Sequence, residues 1–176
     1  MQGTGIGEEF RDMVMSFFNG KHTRTINIDA DHSSDTLESI LSRMYVSGWQ
    51  ILSVSVETNC DTESVQVSDF MALAALADAL ITEPEHAGTI LAYGELNGFN
   101  VAEYWEHTRY GRKFLQEFMG VYGSDMARTL VEEFISNDEL ELPIWLSVDY
   151  EATARDILTD FNHTDLRGQT YVFVNA

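Results

Sequence analysis

The sequence predicts an α+β fold made of two to three small modules, and three observations carry that expectation. Segments with two-residue alternation and segments with helical spacing both occur, in the order strand–helix–strand, then helices, then strand–helix–helix–strand. Only two prolines, Pro84 and Pro143, interrupt 176 residues, so linkers are short. The composition, 44 % hydrophobic and 11 % aromatic, supports packed cores and excludes compositional disorder. The modules read as an N-terminal α+β module over 1–66, a helical middle over 67–109 and a C-terminal α+β module over 110–176.

The segment from Arg11 to Phe18 fits strand and helix equally. TINID (25–29) reads as a short strand with Ile26 and Ile28 on one side. SSDTLESILSRM opens a helix that Asp35 caps, Glu38 completing a capping box. Its apolar stripe is Leu37, Ile40, Leu41, Met44 and Tyr45, and Gly48 ends it. WQILSVSVE alternates, with Leu52, Val54 and Val56 set against Ser53, Ser55 and Glu57, as a half-buried strand does.

In the middle, SDFMALAALADAL turns Phe70, Leu73, Leu76, Ala77 and Leu80 toward a core. Thr82, Pro84 and Glu85 start a further helix that runs to Gly94. Asn100 and Glu103 form a third capping box opening NVAEYWEH. KFLQEFMG leans to strand, Ser124 caps SDMARTLVEEF, and QTYVFVN is the last strand. DYEATARDILTDF (149–161), wound at about 100° per residue, puts Tyr150, Ala154, Ile157, Leu158 and Phe161 on one face. Asp149, Asp156 and Asp160 line a stripe beside that face, and Arg155 is placed to pair with Glu151.

The charge is the outlier. Twenty-nine acids face ten bases, a net of −19. That excludes ordinary nucleic-acid binding, which needs Lys and Arg for phosphates, and disfavours anionic membrane surfaces. Between Met44 and Thr108 there is no Lys or Arg, but ten acids: Glu57, Asp61, Glu63, Asp69, Asp78, Glu83, Glu85, Glu95, Glu103 and Glu106. A basic island follows at Arg109, Arg112 and Lys113, read as neutralising neighbouring carboxylates or the end of the NVAEYWEH segment. From Glu132 to Asp165, ten more acids face Arg155 alone. Acids in such blocks can be the function itself, presenting phosphate-like charge to a protein built to grip DNA. The plainer alternatives are general acidity or salt adaptation.

Other chemistry lacks a signature. The five histidines (His22, His32, His86, His107, His163) form no metal-ligand spacing, and Cys60 stands alone. GTGIG (3–7) has no strand before it and no Gly-Lys-Ser/Thr after it, and DHSSD reads as the lead-in to a capped helix. No catalytic, cofactor or metal residue is assigned. The acidic N-terminus and the lack of a long apolar run predict a cytoplasmic protein.

LVEEF…LP…SVDYEATARDILTDF…GQTYVF resembles the C-terminal part of the ArdA-type antirestriction proteins. The matching positions are Ala127, Arg128, Glu132, Glu133, Pro143, Asp149, Tyr150, Glu151, Ala152, Ala154, Arg155 and Asp156. Upstream, SDFMALAALADAL is similar to that family's leucine-rich helix, GFNVAEYWEH to its acidic helix, and FFNGKHTRTINIDADHSSDTLESIL to its opening turn, strand and helix. RDMVMSFF and TINID depart from the family pattern. The resemblance implies an elongated, curved, usually dimeric protein of three modules that imitates bent DNA. Such a protein competitively occupies the DNA-binding groove of a type I restriction–modification enzyme in a bacterial host, sparing plasmid or phage DNA. It implies no enzyme activity and no cofactor. The acids expected to form the partner-binding surface are the ten of the base-free window with Glu132, Glu133, Asp138, Glu139, Glu141, Asp149, Asp156 and Asp160; Phe134 and Trp145 are the candidates for a homodimer interface. The alternatives are another defence complex such as a CRISPR effector, an acidic protein–protein adaptor, or an enzyme with a carboxylate pair.

Overall fold

The computed structural model describes residues 8–107, 111–137 and 149–174. The chain is α+β, with helices beside two antiparallel sheets. It divides into two compact units, Met1–Gln116 and Glu117–Ala176. The helical middle thus belongs to the first unit together with the N-terminal sheet.

The first sheet has strands β1 (Phe10–Phe18), β2 (Thr23–Asp29), β3 (Gln50–Thr58) and β4 (Thr62–Val65) in the order β2-β1-β3-β4. The ambiguous RDMVMSFF is its central strand. Met13, Met15 and Phe17 alternate into the core, and Met13 lies opposite both Ile28 and Val56. Helix α1 (Ser34–Val46) crosses from β2 to β3, burying Leu37, Leu41 and Met44. Helix α2 (Phe70–Thr82) packs on α1 and β1. All five of its expected core residues are buried, and the Phe70 ring stacks on Phe17 at 5.8 Å.

A 3₁₀ turn at Pro84–His86 leads into α3 (Ala87–Asn97). Every residue from Ala87 to Gly94 is buried, as befits a helix that is apolar all round. Trp105, fully buried, gathers the rings of Tyr93, Phe99, Tyr104 and Phe114 within 5.8–6.1 Å. Short helix α4 (Lys113–Glu117) closes this part of the chain.

The second unit holds β5 (Phe118–Val121), α5 (Ser124–Asn137), α6 (Tyr150–Leu158), β6 (Asn162–Leu166) and β7 (Gln169–Phe173), with sheet order β5-β7-β6. Ala127, Val131 and Ala154 pack α5 against α6. Tyr171, Val172 and Phe173 fill the interior beside the sheet.

Several local expectations are corrected. Ser33, not Asp35, caps α1, accepting from the Thr36 N–H at 3.4 Å. Tyr45 belongs to the predicted core stripe but is 67 % exposed. Leu52 is also exposed, because the β1–β3 register shifts between Ser16 and Phe17, leaving Ile51 rather than Leu52 opposite Phe17. Thr82 ends α2 instead of starting the next helix, and α3 continues past Gly94 to Asn97. Asn100 caps no helix: its Oδ1 accepts from the N–H groups of Ser68 and Asp69, and only a 3₁₀ turn, Ala102–Tyr104, follows. KFLQEFMG is half helix, half strand, and Ser124 is itself helical. Strands β4 and β6 were not expected. β6 and β7 join through Arg167 and Gly168, both at positive φ, the geometry of a tight two-residue hairpin. LPIWLSV (142–148) lies outside the described residues.

Gly94 gives a direct test of the α3 packing. A Cβ there would fall within the Phe99 ring, itself buried against Trp105. Alanine gains about 1 kcal/mol in helix propensity, yet overpacking of this kind costs about 1–3 kcal/mol. Gly94→Ala is therefore expected to lower the urea midpoint; a raised midpoint would refute the packing described.

Candidate acidic interface

The acids divide by what holds them. Asp69 and Asp149 are helix N-caps: Asp69 Oδ1 accepts from the Met71 and Ala72 N–H groups at 2.8 and 3.1 Å, and Asp149 Oδ1 from that of Ala152 at 3.1 Å. Carboxylates at this position satisfy orphan donors and meet the positive end of the helix dipole. Glu8 is buried, with the Thr58 hydroxyl 3.2 Å from its Oε1. Glu151 pairs with Arg155 at 3.0 Å across one helical turn, as expected, but both are exposed.

Asp78 and Glu83 converge on Arg112. Its guanidinium is 2 % exposed, with Nη2 3.1 Å from Asp78 Oδ2 and Nε 3.1 Å from Glu83 Oε2. The Nε–Glu83 contact is an ion pair without hydrogen-bond alignment. Nη1 donates to the Trp105 carbonyl. Arg112 thus neutralises neighbouring carboxylates, the role read for the basic island. Lys113 instead lies over the Tyr104 ring at 5.9 Å. Arg109 is outside the described residues.

The remaining acids face solvent in groups. Glu57, Asp61, Glu85 and Glu95 are exposed in the first unit, and Glu132, Glu133, Asp156 and Asp160 in the second; Glu63, Glu103 and Glu106 are half-buried. The aspartate stripe is not one helical row. Asp149 precedes α6, Asp160 follows its last residue Leu158, and only Asp156 of the three lies within it. Phe134 is 43 % exposed. Asp138, Glu139, Glu141 and Trp145 lie outside the described residues.

The strand register adds a group absent from the expected set. Asp12 on the central strand stands opposite Asp29 on one neighbour and Glu57 on the other. Adjacent strands are about 4.8 Å apart, so these three acidic positions lie side by side across about 10 Å of sheet. The His32 hydrogen bond to Asp29, 2.8 Å, together with the Asp31 N–H, holds the Asp29 carboxyl below its usual range and so keeps it ionised. Spotting this row requires knowing that RDMVMSFF is a strand and how it pairs.

A second group sits at the β4 edge. Glu63, opposite Val56, has its carboxyl pushed above the usual glutamate range, first by desolvation and then by the charges of Glu95 and Asp61. Among the described residues no cluster of three or more His, Cys, Asp or Glu could hold a metal ion, and no helix is long and apolar enough to cross a membrane. No family model, curated protein or solved structure matches the chain.

Two outcomes follow from these contacts. Arg112→Ala leaves Asp78 and Glu83 without their counter-charge, a change that costs about 3–5 kcal/mol when the pair is fully buried. These carboxylate side chains are 34 % and 18 % exposed, so a loss near the lower end is expected in urea unfolding. A loss below about 1 kcal/mol would rule out a structural role for the pairing. For Glu63, a folded-state pKa above the unfolded one means that the ionised carboxylate opposes folding. The penalty is full above the raised value and vanishes as pH falls to the ordinary glutamate range. Glu63→Gln should therefore be more stable than the parent at pH 7, with the difference shrinking on acidification to pH 4; a difference that grows instead would contradict the assignment.

Proposed function

We propose that this chain is a DNA mimic that inhibits a DNA-binding host defence enzyme, a type I restriction–modification complex first among the candidates. The observation that carries the reading is the net charge of −19 arranged in base-free blocks. Its support is the exposure of Glu57, Asp61, Glu95, Glu132, Glu133 and Asp156, none of which has an ion-pair partner among the described residues. B-DNA carries one charge per about 1.7 Å of axis, so a net of 19 charges equals roughly 32 Å of duplex, and a dimer about twice that. On this reading the modules form an elongated homodimer whose carboxylates pair with Lys and Arg lining the enzyme's DNA channel. Inhibition is competitive, with no catalysis, cofactor or bound nucleic acid, and it acts in the bacterial cytoplasm on behalf of a mobile element.

The carboxylate rows fit this reading better than salt adaptation. Asp12 stands beside Asp29 and Glu57 across three strands, whereas salt adaptation is expected to scatter acids over the surface.

The test is a competition assay in which the protein is titrated into a type I enzyme holding labelled DNA. Near-stoichiometric displacement is expected. Each exposed ion pair contributes about 0.2–1 kcal/mol, so single neutralisations such as Glu57→Gln should shift the inhibition constant by at most about fivefold. Neutralising Asp12, Glu57, Asp61 and Glu95 together should shift it far more. The log K–log salt slope should be shallower than that of DNA itself, because protein carboxylates condense fewer counterions. Abolition by any one neutralisation would sink distributed mimicry, and failure to displace DNA would exclude this class of target.

A further inference from the structure

One feature of the first unit lies outside charge mimicry. A groove of about 950 Å³ runs between α1 and α2. Tyr45 and Val46 of α1 and Met71 of α2 line it while 67 %, 83 % and 72 % exposed. They account for half of the six large hydrophobic side chains exposed among the described residues. Isolated exposed apolar residues are ordinary, but three converging on one concavity mark a contact surface. The floor is firm: Tyr45 rests on Phe70 at 5.7 Å, and Phe70 stacks on Phe17 in the core. Ala74 and Ala75 form a low wall that allows close approach of a backbone.

The rim selects the occupant. Among the described residues no Lys or Arg lines the groove, while Glu38, Asp69, Asp78 and Glu106 do. Asp78 is held by Arg112. Glu38 and Glu106 have no cationic partner among the described residues, and Asp69 caps α2 through one carboxylate oxygen. A second copy docked through this same face would set Glu38, Asp69 and Glu106 against their own counterparts. Nucleic acid and anionic lipid are repelled for the same reason. An apolar floor between two helices with an acidic rim complements an amphipathic helix whose apolar anchors at i, i+3 or i+4 and i+7 are flanked by Lys or Arg.

We infer that the α1–α2 groove is a docking site for a cationic amphipathic helix of a partner protein. Tyr45, Val46 and Met71 receive its apolar anchors, and Glu38, Asp69 and Glu106 receive its bases. This inference does not depend on DNA mimicry, which needs no apolar anchor.

The test uses the full chain and a fluorescently labelled amphipathic helix of leucine and lysine about 14 residues long, four turns. A scrambled peptide of the same composition serves as control for unspecific attraction. Anisotropy is expected to show the amphipathic peptide binding at least about tenfold tighter than the scrambled one. Met71→Ser with Tyr45→Ser should remove at least about tenfold of that affinity, and Glu38→Gln with Glu106→Gln should weaken it mainly at low salt. Leu52→Ser, an exposed apolar change away from the groove, should leave binding unchanged. All three side-chain sets are exposed or at the rim, and thermal melts of each variant verify folding. Equal affinity for both peptides, or full affinity in the folded Tyr45/Met71 variant, would overturn the inference. So would sedimentation showing a dimer that the same variant dissolves, since the groove would then be occupied by a second copy.

Discussion

The first unit is organised around one buried cation. An arginine removed from water needs counter-charge and hydrogen-bond acceptors close by. Arg112 finds them at Asp78 in the last turn of α2, at Glu83 just beyond it, and at the Trp105 carbonyl. Three chain segments are thereby set relative to one guanidinium. The Trp105 ring in turn gathers Tyr93, Phe99, Tyr104 and Phe114, so the ion cluster and the aromatic cluster are one constraint viewed from two sides. In a chain with ten bases against 29 acids, placing one base in the interior makes it unavailable for quenching the surface.

That constraint helps separate structural acids from the rest. Asp78 and Glu83 serve Arg112, Asp69 and Asp149 terminate helices, and Glu8 is enclosed beside Thr58. Each has a local reason to be acidic. Asp12, opposite Asp29 and Glu57, makes no ion pair among the described residues. The strands that carry Asp12 and Glu57 are held by apolar packing on their core face, where Met13, Met15, Val54 and Val56 are almost fully buried.

The legible parts of this sequence were those where local and tertiary signals agree. Phe70, Leu73, Leu76, Ala77 and Leu80 recur at helical spacing and all are buried, and Val54 and Val56 alternate as a half-buried strand requires. The illegible parts depend on partners distant in sequence. Leu52 satisfies the alternation but is displaced by a register shift that only the pairing with β1 imposes. Asn100 has the chemistry of a cap, yet its carbonyl is drawn to the backbone of Ser68 and Asp69, more than thirty residues away. Ser33 and Asp35 are both competent caps for α1, and sequence chemistry alone does not rank them. The acidity was legible as composition and as base-free windows; the row across the sheet was not, since Asp12, Asp29 and Glu57 meet only through sheet register.

Charge and groove divide the work of recognition differently. Long-range attraction from exposed carboxylates accelerates encounter with any basic surface and weakens as salt is added. It discriminates poorly, because many basic proteins present similar potentials. Apolar anchoring acts only at contact, prolongs the complex and depends on shape. In this chain the two lie side by side: the groove's apolar residues come from α1 and α2, and its rim from acids on those helices, at the α2 cap and at Glu106. A surface of that composition attracts basic partners generally and retains those whose apolar side chains match Tyr45, Val46 and Met71. Selection among basic proteins then rests on the residues that carry no charge.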